Sequence, residues 1–319
     1  MSTDQDRVDV RGVVSFVAIA YLPAWLLTLP LWLTGEGLSW SWAPLVLFLM
    51  MFMPAVAALV VTKWISPRPK VLRGLGITNP GGIKTWWPYA LIAWLGPPLV
   101  ATLALMVGYL LGVYQADWTG FSGLAEQFGA TVVGAEPETS PGMLALTQIA
   151  AVFGLGWLQV IPALGEELGW RGYLTQALLP LGQPGAFLTT GVLWGLWHAP
   201  VLILGYNYPT LPIVVAFIMM VCFCTLVGTL LGWLRLASGS VWPAVIAHGF
   251  LNAAAGLGMV FSMAGHPVDN ASTGLLGWSG WIVLVVLILV LVMFGKLPVR
   301  FRVEKATGIS RGVNRRTRR

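Results

Sequence analysis

The chain has 319 residues, 57% of them hydrophobic and 9% charged, with a mean hydropathy of +0.80 and a formal net charge of +6. A soluble domain carries roughly 25% charged residues, so this composition excludes an ordinary soluble globular protein and defines a polytopic membrane protein. Cys222 and Cys224, the only cysteines, are two apart in an apolar run. Such neighbours diverge on a helix, so neither a disulfide nor a metal clip is implied.

In chain order, a mixed-charge amino terminus (Asp4, Asp6, Arg7, Asp9, Arg11) precedes a long apolar run with no small-residue cleavage site. It reads as an uncleaved first span and not as a removed leader. A span needs about 20 largely apolar residues. About eight are expected: 13–33, 43–65, 86–112, 143–179, 186–204, 211–234, 241–263 and 276–294. Between the third and fourth lies a polar-tinged segment, 113–141, with Asp117, Glu126, Glu136 and Glu138. Pro23, Pro30, Pro54, Pro97, Pro98, Pro162 and Pro200 fall inside spans and predict kinks that neighbouring helices must satisfy. The expected architecture is an all-α polytopic bundle. It has a cytoplasmic terminus (1–12), a transmembrane bundle (13–295) and a basic cytoplasmic tail (296–319).

Charge orients this bundle. With the amino terminus inside, the inner segments hold all 18 Lys and Arg residues, and the outer segments hold only acids: Glu36, the four of 113–141, and Asp269. The positive-inside rule then puts both termini in the cytoplasm. Arg311, Arg315, Arg316, Arg318 and Arg319 make a tail whose charge serves topology, with contact to anionic headgroups as the alternative.

The stretch Glu166-Glu167-Leu168-Gly169-Trp170-Arg171 does not fit a passive span. A charge at the bilayer centre costs about 2.5–3.5 kcal/mol on insertion scales, and such residues mark functional sites by default. Glu167 and Arg171 are i,i+4 and are able to neutralise each other on one helix face. That leaves Glu166 on another face with no local partner. Further polar residues follow in two other spans: His198 in Trp194-Gly195-Leu196-Trp197-His198, and His248 with Asn252, i,i+4 on one face. At 1.5 Å per residue, Glu166 lies roughly 20 Å above the turn at Pro180 and His198 roughly 18 Å above Gly185. His248 and Asn252 lie roughly 12 to 18 Å above Gly239. The four share one layer, expected nearer the cytoplasmic side, so three spans should converge on a polar cavity.

Glu-Glu-x-x-x-Arg, aromatic-x-x-x-His and His-x-x-x-Asn on successive motif-bearing spans resemble the CPBP family of CAAX prenyl endopeptidases and bacteriocin-processing or self-immunity proteins. The resemblance covers about 148–256, within a protease core of about 143–263, and departs from the family pattern at Trp194, where Phe is usual. It implies that Glu166 is a general base activating a water with help from His198. It further implies that His248 and Asn252 stabilise an oxyanion, and that Glu167 and Arg171 hold the site together. The chemistry agrees: a glutamate withdrawn from water is a stronger base than a hydrated one, and acyl transfer needs preorganised donors. Trp170, Trp194 and Trp197 flank the motifs and either line a substrate pocket or pack the core.

Other readings stay open to the residues alone. Glu166, His198 and His248 would make a two-His, one-carboxylate zinc site, although no His-Glu-x-x-His helix occurs. Without metal no cofactor is required. A transporter would spread ionisable groups through the full depth, whereas these cluster in one layer. A non-catalytic scaffold or bacteriocin-immunity protein would keep the fold and dispense with hydrolysis. The expected function is an integral endopeptidase of a prokaryotic cell membrane. Its partners would be the lipid bilayer and a membrane protein or lipidated peptide, with no nucleic acid.

Overall fold

The computed structural model describes residues 7–79, 81–131 and 140–300. Glu136, Glu138 and the basic tail beyond residue 300 lie outside them. Among the described residues there is no strand, and the only ladder contact is the isolated bridge Ala116–Ser262.

α1 (Val10–Leu27) breaks at Thr28 and resumes as α2 (Leu29–Leu33). α3 (Ala43–Met50) and α4 (Met53–Val60) form one broken rod that ends in a π turn, Val61–Ile65. The short α5 (Val71–Gly74) leads to α6 (Trp87–Leu110), then α7 (Ser122–Thr131) and α8 (Pro141–Gly154). The motif-bearing segment runs through α9 (Gly156–Glu167), a π-helical stretch Leu168–Leu174, and α10 (Thr175–Leu178). α11 (Gly182–Trp197) and α12 (Ala199–Leu202) follow, then α13 (Ile213–Ser238), α14 (Trp242–Ala254), α15 (Leu257–Val260) and α16 (Trp278–Met293).

Among the described residues, five helical rods are long and apolar enough to cross a membrane, or six if the pair bent by 42° at Leu155 counts as one span. The difference from the expected eight has two sources. α16 has only 16 residues, and the run beginning at Pro141 is broken rather than straight. Past that break the chain doubles back. Glu166 pairs with Trp194 while Thr175 meets Thr190, so α9–α10 and α11 are antiparallel. The prolines divide into two groups. Pro23, Pro97, Pro98 and Pro162 sit inside helices, whereas Pro30, Pro54 and Pro200 stand in the first turn of a new helix. The missing proline N–H is harmless there, because first-turn donors have no intrahelical partner.

α14 is the central rod, packed against α6 and α9, while α11 packs along α13. α1 is fastened to α11 by hydrogen bonds from Trp25 and Tyr21 to backbone carbonyls, and from Trp197 back to Ala20. Small residues permit the close approaches. A Cβ on Gly249 would stand 2.8 Å from the Val160 amide nitrogen, and one on Gly169 would stand 2.7 Å from the Pro54 carbonyl. The outward faces carry exposed Leu22, Leu99, Leu158, Val214 and Val286, as a lipid-facing surface requires.

The two ends of the bundle differ. At one end Asp9 caps α1 and binds Ser66, Trp242 binds the Ile77 carbonyl, and Asn79 binds that of Ser238. The Ser66 hydroxyl and the Gly12 amide hold the Asp9 carboxyl below its usual range. This end holds Arg7, Arg11, Arg68, Lys70, Arg73 and Arg235. At the other end, Thr273 donates to the Val113 carbonyl, Tyr208 to that of Leu276, and the Asp117 amide to that of Phe261.

Gly169→Ala drives a methyl group into the α4 backbone. Overpacking of this kind costs about 1–3 kcal/mol, so a lower melting temperature of the detergent-purified protein is expected.

Candidate active site

The site is assembled around Glu166 and Glu167, which are adjacent in sequence and face different surroundings. Both are buried, Glu166 3% exposed and Glu167 0%. One Glu166 oxygen, Oε2, accepts the indole N–H of Trp194 at 2.6 Å and that of Trp170 at 3.2 Å. One Glu167 oxygen, Oε1, accepts Nη1 of Arg171 and Nδ1 of His248, each at 2.8 Å. The spacing on α9 and its π continuation places Trp170 below Glu166 and Arg171 below Glu167, each four residues on. The i,i+4 pair read from sequence is therefore formed, and it has a third member from α14.

That third member changes the expected arrangement. His248 was paired with Asn252 as two donors on one face, and both line the same cavity. Yet His248 spends its Nδ1 on Glu167, so only Nε2 remains for chemistry. His198 has a fixed orientation too. Its Nδ1 lies 2.9 Å from the Trp194 carbonyl, which can only accept. Nδ1 therefore carries the proton, and in the neutral ring Nε2 is left as a base. The ring stacks on Tyr206 with centroids 6.2 Å apart and planes 8° apart, and meets Trp197 edge-on at 5.0 Å.

Trp194 touches Glu166, His198, His248 and Arg171. Its N–H reaches Glu166, its carbonyl holds His198, and its ring meets His248 edge-on at 5.3 Å. The Arg171 guanidinium lies over the same ring, 4.3 Å from its centroid. This contact covers the charge, since Nε and Nη2 of Arg171 have no hydrogen-bond partner among the described residues.

Glu166, His198, His248 and Asn252, from three separate rods, all line one cavity of about 310 Å³. Trp194 and Trp197 line it as well, while Trp170 is wholly buried behind Glu166. Sequence reasoning missed Tyr206 and Gln159 in the wall. Gln159 is seven residues before Glu166, two helical turns along the same face, which was a usable signal. Tyr206 sits in the turn after α12 and no local pattern points to it. The lining continues to Asn207, Val268, Asn270 and Thr273.

Among the described residues no three His, Cys, Asp or Glu side chains are disposed to hold a metal ion.

A bundle of apolar helical rods, with one carboxylate, two imidazoles and a carboxamide lining an internal cavity and a second carboxylate buried beside them, is that of an integral membrane protein. Residues 146–254 match the family described as Rce1-like, type II CAAX prenyl endopeptidase Rce1-like. This is the segment that carries all three motifs, and the resemblance read from them holds there. The match points to a membrane protease of the CAAX type. No curated protein matches the chain.

Glu167→Gln leaves Arg171 buried without its counter-charge. Breaking a buried pair on one side costs about 3–5 kcal/mol, so a large fall in melting temperature is expected, well beyond that of a surface Glu→Gln change.

Proposed function

We propose that the protein is an intramembrane endopeptidase that hydrolyses a peptide bond of a membrane-associated substrate with a water activated by Glu166. The observation that carries this reading is the convergence of Glu166, His198, His248 and Asn252 on one cavity within an apolar bundle. Glu166 takes a proton from water, with Nε2 of His198 as the second acceptor, and the water oxygen attacks the peptide carbonyl carbon. The C–N bond then breaks, and the proton held by Glu166 passes to the departing amine. No covalent nucleophile and no metal take part.

The developing oxyanion needs donors that are in place beforehand. The Asn252 carboxamide supplies one and His248 Nε2–H the other. Donation from Nε2 while Nδ1 donates to Glu167 requires both ring protons on His248, and Glu167 is the counter-charge for that form. In this scheme Glu167 and Arg171 hold His248 and do not touch substrate. Prenylated CAAX-type chains are one substrate class that suits such a site; peptide precursors and other membrane proteins are further ones.

Comparing membrane-proteome termini from cells carrying the wild type or Glu166→Gln tests the reading. Termini that vanish in the variant are expected, and identical sets would leave a binding or scaffolding role. Treating the wild-type membranes with a chelator should leave those termini unchanged.

Trp194→Phe keeps an aromatic ring but removes the N–H donor to Glu166. A hydrogen bond to a charged group contributes about 1.5–3 kcal/mol, so kcat/KM should fall at least tenfold. The melting temperature should move by only a few degrees.

A further inference from the structure

We infer that Tyr206 belongs to the substrate-binding machinery: its hydroxyl donates a hydrogen bond to a main-chain carbonyl of the peptide held in the cavity, close to the bond that is cut. This rests on the hydrolytic reading above and adds to it a residue that no motif contains.

Other tyrosines of the bundle show how such a hydroxyl is ordinarily used. Tyr21 donates to the Leu193 carbonyl, Tyr114 to that of Gly258 at 2.6 Å and Tyr208 to that of Leu276 at 2.9 Å. A tyrosine withdrawn from water usually finds such a partner. Tyr206 is partly buried and lines the cavity, and among the described residues its hydroxyl has no partner. The Trp194 and Asn207 carbonyls of the same wall already hold His198 Nδ1 and Asn270 Nδ2. A free donor in a cavity wall is matched by an acceptor that the occupant brings, and every residue of a peptide brings a carbonyl.

The ring is in place before any substrate arrives. The turn after α12 is closed by the Tyr206 amide donating to the Val201 carbonyl at 3.0 Å, and by the Tyr208 amide donating to the Tyr206 carbonyl at 2.8 Å. Gly205 makes the preceding bend at φ +90°, in the region that favours glycine. The phenol ring lies parallel to the His198 imidazole, with planes 8° apart and centroids 6.2 Å apart. An extended chain rises about 3.3 Å per residue, so a peptide whose scissile bond lies at His198 brings a carbonyl about one or two residues away to Tyr206.

Asn252 and His248, both from α14, serve the oxyanion in this scheme. The Tyr206 hydroxyl is left for a carbonyl that does not react. An interaction made equally in the bound substrate and in the transition state lowers KM and leaves kcat unchanged.

Tyr206→Phe removes the hydroxyl and keeps a ring on His198. The probe is the set of membrane-proteome termini that wild-type cells make and Glu166→Gln cells lack. At equal, limiting expression, Tyr206→Phe should slow the accumulation of those termini about threefold to tenfold, the effect of losing a neutral hydrogen bond. Synthetic peptides spanning the same junctions, cleaved by the detergent-purified protein, should show that factor in KM with kcat nearly unchanged. The melting temperature should stay within a few degrees, since the hydroxyl gives up no bond to protein. Tyr208→Phe is the contrast. It loses its bond to Leu276, should melt lower, and should leave the termini and KM as in the wild type.

Accumulation equal to that of the wild type overturns the inference. So does a fall in kcat at unchanged KM, which would place the hydroxyl on the reacting atoms. Either result leaves Glu166-dependent hydrolysis standing. An absence of Glu166-dependent termini would instead overturn the hydrolytic reading, and this inference with it.

Discussion

A single carboxylate oxygen, Oε1 of Glu167, holds the motif-bearing helices in register. It accepts Arg171 from its own segment and His248 from α14, and neither its carboxylate nor the guanidinium is exposed to solvent. In a bundle with few charges this cluster cannot exchange its partners for water. Uncompensated buried charge is far costlier than a packing defect, so the geometry that brings all three groups together is strongly preferred. Trp194 extends the constraint to α11, because its ring covers Arg171 while its N–H reaches Glu166.

Adjacent carboxylates can then do different work. Glu167 is directed into protein and is bound by the Arg171 guanidinium and the His248 imidazole, whereas Glu166 is directed to the cavity and receives indole donors. The π-helical stretch after Glu167 belongs to this division. A π turn widens the helix locally and is often found at functional sites. Here it lets the Trp170 carbonyl accept the Thr175 hydroxyl five residues on, while Thr175 also meets Thr190 of α11. The floor beneath the site is closed by this stitching of one segment to the next.

The matched segment and the remainder of the chain have separable tasks. Residues 146–254 supply the motif residues. The amino-terminal rods supply shape: Met51 and Pro54 at the α3–α4 break receive Gly165 and Gly169, and α1 latches onto α11 near Trp197. α6, together with the segments that follow α14, closes the cavity wall and its mouth. Sequence motifs in that outer part are absent because apolar packing accepts many residues of similar volume.

Composition alone determined a helical membrane chain, since lipid tolerates only internally hydrogen-bonded backbone and few charges. Helical spacing alone determined the Glu167–Arg171 pair and the shared face of His248 and Asn252, because both are local relations of i and i+4. Only the tertiary structure decided that His248 belongs to Glu167, that Trp194 bridges Glu166 and His198, and that Tyr206 stacks on the imidazole. It also decided that Asn207, Val268, Asn270 and Thr273 join these residues around one cavity. Depth along one helix measures height and carries no information about which neighbours fill the space above or below, and that space is set by packing between rods far apart in sequence.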